Sequence, residues 1–464
     1  MSDPMRSQKE YVLKTVEERG IRFVQLWFTD VLGTPKTFSI TPAELESALD
    51  EGMTFDGSAI DGFSRVQESD VLARPDVNTF QLLPWHGRGH SPADAQSGSH
   101  PDGLDAPVAR VFCDIFNLDG TPFQGCPRHV LHRTLEQAHE RGFTFYAAPE
   151  IEYFYFADSD PSRSPQGLDH GSYFELTAAD RTSDIRQRTV LTLEDMGIPV
   201  EHAQHEDAPS QHEIDLRYTD ALTMADTVMT VRLVVKEMAR QQGVHASFMP
   251  KPLEGVQGSG MHTHLSLFSG DTNAFVDSDR ANGLSEVAEG FIAGLLRHAG
   301  EISAVTNQWV NSYKRLVSGY EAPIHMSWAR NNRSALVRVP VVKSGKSEST
   351  RVEYRAPDSA CNPYLAFAVI LAAGLQGIEH GYELPAEADA NVFTLSGDEL
   401  RAKGIAHLPG DLNEALGLME SSELLANTLG EHVFEWFIRN KRQEWSEYNA
   451  RVTQFELDRY LPLL

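Results

Sequence analysis

The 464-residue chain is too long for one compact domain, and its 41% hydrophobic content, six Trp and 23 Phe exclude an intrinsically disordered protein. A formal net charge of −26 sets it against phosphate backbones and anionic lipid, so neither nucleic acid nor a membrane is an expected partner. Three widely spaced cysteines, Cys113, Cys126 and Cys361, form no C-x-x-C motif, and the first residues lack the apolar core of a signal peptide; both features suit the cytoplasm.

Residues 7–19 carry the mixed charge and apolar spacing of a short amphipathic helix. Ile21 to Asp30 is rich in β-forming residues and, across the turn Val31-Leu32-Gly33-Thr34, meets the alternating run Lys36 to Ile40, which predicts a hairpin. Thr41-Pro42-Ala43-Glu44 has the pattern of a helix start. A small α+β domain is therefore expected over 1–106. It ends in His86 to Ala106, a stretch of Gly, Pro, Ser, Asp and His that reads as a long exposed loop. From Pro107 strands and helices alternate without such a linker, giving a second domain over 107–464. Within it, Tyr364 to Leu375 is the longest apolar run. It is too short to span a bilayer and, following Asn362-Pro363, predicts a buried helix. Leu429 to Leu464 has mixed charge and helical spacing.

Four short segments place polar groups at every second residue, so that each set shares one face of a strand. They are Glu150 and Glu152; Glu213, Asp215 and Arg217; His262, His264 and Ser266; and Arg351, Glu353 and Arg355. Any one of them alone describes the solvent face of an antiparallel strand. Together they hold no Lys, and carboxylates, imidazoles and arginines are the inventory of a site for divalent cations and phosphate. Converging carboxylates raise one another's pKa, a penalty that divalent ions remove, and carboxylates with at most one imidazole suit Mg²⁺ or Mn²⁺ better than zinc. Arg315, Arg333 and Arg338 extend an Arg-rich stretch from 315 to 355, read as an anion site with a salt-bridge network as the alternative. The loop Gly255 to Gly260 is either a flexible turn or a means of bringing backbone N–H groups to a small ligand. Gly345-Lys346-Ser347 imitates the end of a P-loop, but Pro340 stands where that motif needs Gly.

Longer motifs carry a resemblance. They are Phe55-Asp56-Gly57-Ser58, Pro149-Glu150-Ile151-Glu152, His205-Glu206 followed by Gln211-His212-Glu213, Gly258-Ser259-Gly260-Met261-His262-Thr263-His264, Asn311 to Arg315 with Gly319-Tyr320-Glu321, Asn332-Arg333-Ser334-Ala335, and Val352-Glu353-Tyr354-Arg355. Through them the chain resembles the bacterial type I glutamine synthetase family, from about residue 10 to its end. The resemblance implies an α+β fold with an N-terminal β-grasp domain and a larger C-terminal domain built on an antiparallel sheet, a bowl flanked by helices. It also implies a homo-oligomer, a dodecamer, with sites between subunits.

Residue by residue, the resemblance assigns Glu152, Glu206 and Glu213 to one metal ion and Glu150, His262 and Glu353 to a second, with ATP as substrate and Mg²⁺ or Mn²⁺ as the ions. It assigns Gly258, Arg315, Glu321 and Arg355 to L-glutamate, His264, Ser266, Arg333, Arg338 and Arg351 to ATP, and Asp56, Tyr173 and Glu206 to the ammonium site. Asp56, Glu321, Arg333 and Arg315 are the catalytic group, Asp56 as the acceptor of the ammonium proton. The implied reaction joins ammonia to the γ-carboxyl of glutamate through γ-glutamyl phosphate. Ala59, Gln257, Ser318 and Thr350 depart from the family pattern, and the first and third of these leave room for a larger amine, a polyamine or ethanolamine, as nucleophile. A non-catalytic homologue binding ATP or glutamine is the third reading. Phe393 stands where some relatives carry a modifiable tyrosine, and Arg65 matches either a feedback residue or a structural ion pair.

Overall fold

A computed structural model describes residues 3–58, 60–62, 70–85, 106–176, 182–280, 282–319, 322–330, 332–343, 345–388 and 391–464. The chain forms two compact units, neither contiguous in sequence. One comprises Met1–Gln137, Phe154–Ser247 and Asn362–Phe367, the other Ala138–Tyr153, Phe248–Cys361 and Ala368–Leu464.

The first unit opens with the helix Asp3–Glu18 and the expected hairpin, in which Phe23–Thr29 pairs antiparallel with Pro35–Ile40. On its other edge Phe23–Thr29 runs parallel to Val108–Phe116, which pairs antiparallel with Asp70–Pro75, itself paired to Met53–Asp56. Val24, Leu26, Val111 and Ile115 of this mixed sheet pack with Val12, Val16, Leu45 and Ala48 of two helices, so the residues that favour strands also supply the core. The helix Pro42–Glu51 starts where the sequence indicates, with Pro42 in its first turn, but the Thr41 side chain makes no capping bond. Glu44 complements the helix dipole instead, and Gly52, at φ 84°, closes the helix by returning its N–H to the Ala48 carbonyl. Apart from Ala106, the loop expected over 86–106 lies outside the described residues.

In the second unit Met261–Ser269 pairs antiparallel with Thr144–Phe156, of which the residues to Tyr153 belong here, and on its other side with Val352–Tyr354. Val337–Arg338 and Trp328–Ala329 continue the sheet. Two helices, Glu286–Thr306 and Pro363–Glu379, touch backbone to backbone. A Cβ at Gly294 would lie 2.1 Å from the Ala373 carbonyl oxygen, and one at Gly377 would lie 2.0 Å from that of Gly290, so only glycine fits. The terminal stretch is helical over Glu431–Asn449 and Gln454–Tyr460. None of the described helices is long and apolar enough to cross a membrane, and all three cysteines are buried and outside any disulfide.

The first unit is locked by a buried ion cluster. Arg128 donates to Asp114 at 2.6 Å, to Asp76 at 2.8 Å and to both oxygens of Asp226 at 3.1 and 3.0 Å, while the Tyr364 hydroxyl donates to Asp226 at 2.6 Å. One guanidinium thus neutralises carboxylates from three parts of the chain. Removing it leaves them buried without their cation, and Arg128→Ala should cost about 3–5 kcal/mol in denaturant unfolding. A loss below about 1 kcal/mol would show that water reaches these carboxylates freely.

Candidate active site

Strand register in the second unit assembles most of the residues singled out above. Glu150 lies opposite His262, His264 opposite Glu353, and Arg338 opposite Glu353 on its far side. These side chains are not a solvated surface, since Glu353 is 1% exposed and Glu152 8%. Glu150, His262 and Glu353 each bring a ligand atom within 4.8 Å of the others, with His262 Nδ1 at 3.4 Å from Glu150 and 3.9 Å from Glu353. Two carboxylates and one imidazole at this spacing fit a hard divalent cation.

The chain's own cations balance this charge. Arg338 donates to one oxygen of Glu353, and Arg355 Nε donates to the other at 3.1 Å. His264 Nε2 donates to Glu150 at 2.7 Å, and Arg351 Nε donates to His264 Nδ1 at 3.2 Å, which fixes the Nε2–H tautomer. Burial opposes ionisation of Glu150, yet the hydrogen bonds from His262 and His264 outweigh it and hold its carboxyl well below the ordinary range. Burial also opposes ionisation of Glu353, where the interactions with His264 and with the positive charge of Arg355 prevail. Arg355 Nη1 is buried and has no hydrogen-bond partner among the described residues, a donor poised for an anion.

The glycine loop has a packing reason that the sequence did not reveal. A Cβ at Gly260 would fall 2.6 Å from Arg315 Nη2, and one at Gly258 2.2 Å from the Pro250 carbonyl oxygen. The Gly260 N–H donates to Glu152 Oε2 at 2.8 Å, so this amide holds a carboxylate of the protein. Arg315 itself is buried and donates to the Ala356 carbonyl at 2.7 Å. Ser266 lies further along its strand, opposite Tyr146, and Arg333 is exposed. Glu321, Ala59 and Arg65 fall outside the described residues. Gln257 is half-buried and Ser318 exposed, while the Thr350 hydroxyl donates to the Ser347 carbonyl at 2.7 Å.

In the first unit a second hairpin, Val200–His205 with Gln211–Leu216, carries Glu213 within the strand and Glu206 just past its end. Its two faces differ. On one, Gln204 donates to Glu213 at 3.0 Å. On the other, His205 lies opposite His212, and Asp169 joins them. Asp169 accepts from His205 Nε2 at 3.0 Å, from the Ser210 N–H at 2.8 Å and from the Gly171 N–H at 3.1 Å. His205 Nδ1 faces the Glu206 carbonyl at 2.6 Å. The Asp169, His205 and His212 group has metal-like spacing, but Arg186 already occupies His212 Nδ1 at 2.7 Å and sets a positive charge beside the group. It is an anchor for the turn that carries Glu206. Asp56 ends the strand Met53–Asp56, exposed, accepting from the Ser58 N–H at 2.8 Å, and Tyr173 is 41% exposed against Phe174.

Two family profiles cover nearly the whole chain: glutamine synthetase, β-grasp domain, over residues 20–118, and glutamine synthetase, catalytic domain, over 124–460. The chain belongs to the glutamine synthetase family. It is 56% identical to the glutamine synthetase of Mycolicibacterium smegmatis over 99% of this chain and 100% of that one. It is 45% identical to that of Thermotoga maritima over 98% and 99%. A solved structure described as a GmaS/ADP complex superposes with a TM-score of 0.84 at 31% identity, covering 97% of this chain and 99% of that one. The α+β expectation with an N-terminal β-grasp domain therefore holds, and the protein, like its glutamine synthetase relatives, is a ligase that forms carbon–nitrogen bonds.

Asp169 and Gln204 escaped the sequence reading. Gln204 sits two residues before Glu206, so alternation alone would have marked it. Asp169 is 36 residues from its partner His205, and no local pattern marks it. Burial opposes its ionisation, but the bonds from His205, Ser210 and Gly171 hold its pKa far below the ordinary carboxylate value. A depressed folded-state pKa contributes stability above the unfolded value, near 4, that is lost as pH falls. Asp169→Asn should therefore lower the melting temperature at pH 7, with the gap to wild type narrowing below about pH 4. A gap independent of pH between 7 and 3 would show that the ionised form makes no net contribution.

Proposed function

We infer that this protein is a glutamine synthetase, joining ammonia to the γ-carboxyl of L-glutamate at the expense of ATP. The observation that carries the reading is the partly buried convergence of Glu150, His262 and Glu353, flanked by Arg338 and Arg355, in a chain whose relatives at 45–56% identity are glutamine synthetases.

A carboxylate does not react with an amine at neutral pH because oxide is a poor leaving group. Moving the ATP γ-phosphoryl group to the glutamate side chain makes an acyl phosphate, from which an amine displaces phosphate. Glu150, His262 and Glu353 would hold one Mg²⁺ or Mn²⁺ ion, and Glu152, Glu206 and Glu213 another. Bound ions supply charge neutralisation for the phosphoryl group. Arg338, Arg351 and Arg333, with His264 and Ser266, are assigned to ATP, consistent with the ADP in the GmaS complex. Arg315, Arg355, Gly258 and Glu321 are assigned to glutamate; the unpaired Nη1 of Arg355 suits a carboxylate or phosphate oxygen. Asp56, with Tyr173 and Glu206, would attract ammonium, and Asp56 would take its proton so that the free amine attacks. The same reading includes a dodecamer, a cytoplasmic setting and a functional division at 106/107.

Phosphate release from ATP with Mg²⁺ and glutamate, measured across ammonium, putrescine, spermine and ethanolamine, tests it. Ammonium should support the fastest turnover, and Glu353→Ala should reduce that turnover by at least about 100-fold. Activity with a diamine alone would reassign the nucleophile. Turnover by Glu353→Ala close to wild type would refute the metal assignment.

A further inference from the structure

The hairpin that carries Glu206 and Glu213 holds one more oxygen that no assignment above uses. Side chains alternate along Val200–His205, and the only irregularity in its pairing lies between Val200 and His202, so the alternation is intact over Gln204, His205 and Glu206. The Glu206 N–H donates to the Gln211 carbonyl at 2.8 Å, which carries the ladder one residue past the strand. Gln204 and Glu206 therefore share a face, and Glu213, directly opposite Gln204, shares it too. His205 and His212 take the other face with Asp169.

Gln204 is 9% exposed, and its Nε2 donates to Glu213 Oε1 at 3.0 Å. That bond fixes the amide, because turning it over would set its carbonyl against a carboxylate, acceptor against acceptor. Its Oε1 is then buried and has no hydrogen-bond partner among the described residues. A buried amide oxygen is rarely left unpartnered, and amide oxygens are ordinary ligands of hard divalent cations.

We propose that Gln204 is an oxygen ligand, direct or through one water, of the ion held by Glu206 and Glu213. The amide acts at both ends. Its N–H steadies Glu213, while its carbonyl faces the same ion. A neutral ligand there adds coordination without adding to the repulsion between the two glutamates. The inference rests on the metal reading of these glutamates.

The two ends of the amide give opposite signs in a direct test. Mn²⁺ binding is titrated by electron paramagnetic resonance on the full-length protein, without ATP or glutamate, in wild type, Gln204→Met, Gln204→Glu and Glu213→Ala. Wild type should bind two or more ions per subunit. Gln204→Met, nearly isosteric, should weaken one of them by about 10–100-fold. Gln204→Glu loses the donor to Glu213 but keeps and charges the oxygen, so it should bind that ion at least as tightly as wild type. Thermal melts of the metal-free variants report whether each is folded. Wild-type affinity in Gln204→Met would overturn the proposal. So would Gln204→Glu binding more weakly than Gln204→Met, because the amide would then act only through its N–H. Failure of the underlying metal reading looks different: Glu213→Ala would keep every ion that wild type binds, and the proposal would fall with it.

Discussion

Gathering carboxylates in the interior is the constraint on which this structure turns. An ionised carboxyl withdrawn from water must find a cation, and two that approach each other must find more than one. Glu150 and Glu353 meet that demand through His262, His264, Arg338 and Arg355. Asp169 meets it through His205 and two backbone N–H groups, and the Asp76, Asp114 and Asp226 cluster through Arg128. The same solution recurs at a functional and at a structural site. Buried polar atoms without partners among the described residues occur at both, at Arg355 Nη1 and Gln204 Oε1 and also at Asp114 Oδ1 beside Arg128.

The parts of this architecture set by neighbours in sequence were legible in advance. Period-two alternation at Glu150 and Glu152, and at His262 and His264, identified strands with one polar face, and those strands exist. Asn362-Pro363 announced a helix, and the Asn362 side-chain Oδ1 does accept the Tyr364 N–H at 3.1 Å. The strand around Glu353 came out shorter than the alternation suggested, spanning Val352–Tyr354, with Arg351 and Arg355 beyond its ends.

Contacts between distant residues were not legible. Nothing local says that Arg338 will reach Glu353, or that Asp169 will hold His205. The glycine loop shows the same limit. Its composition suggested a flexible turn or backbone N–H groups brought to a small ligand, but not that the Arg315 guanidinium passes within 2.6 Å of where a Gly260 Cβ would stand. Family resemblance supplied roles for several of these residues, but the physical reason for each became visible only with strand register and side-chain distances together.

Asn362 has one more consequence. Its Nδ2 donates to the carbonyls of Asp30 and Val31, and it packs against Gly33, where a Cβ would approach the Asn362 Cα to 3.0 Å. A segment more than three hundred positions downstream thus completes the packing around the first hairpin. On the ribosome, the amino-terminal part of the chain must wait, incompletely sealed, until most of the polypeptide has been made. Synthesis of this protein therefore exposes an unfinished interior for longer than the order of its secondary structure suggests, and calls for slow, guarded maturation over folding piece by piece.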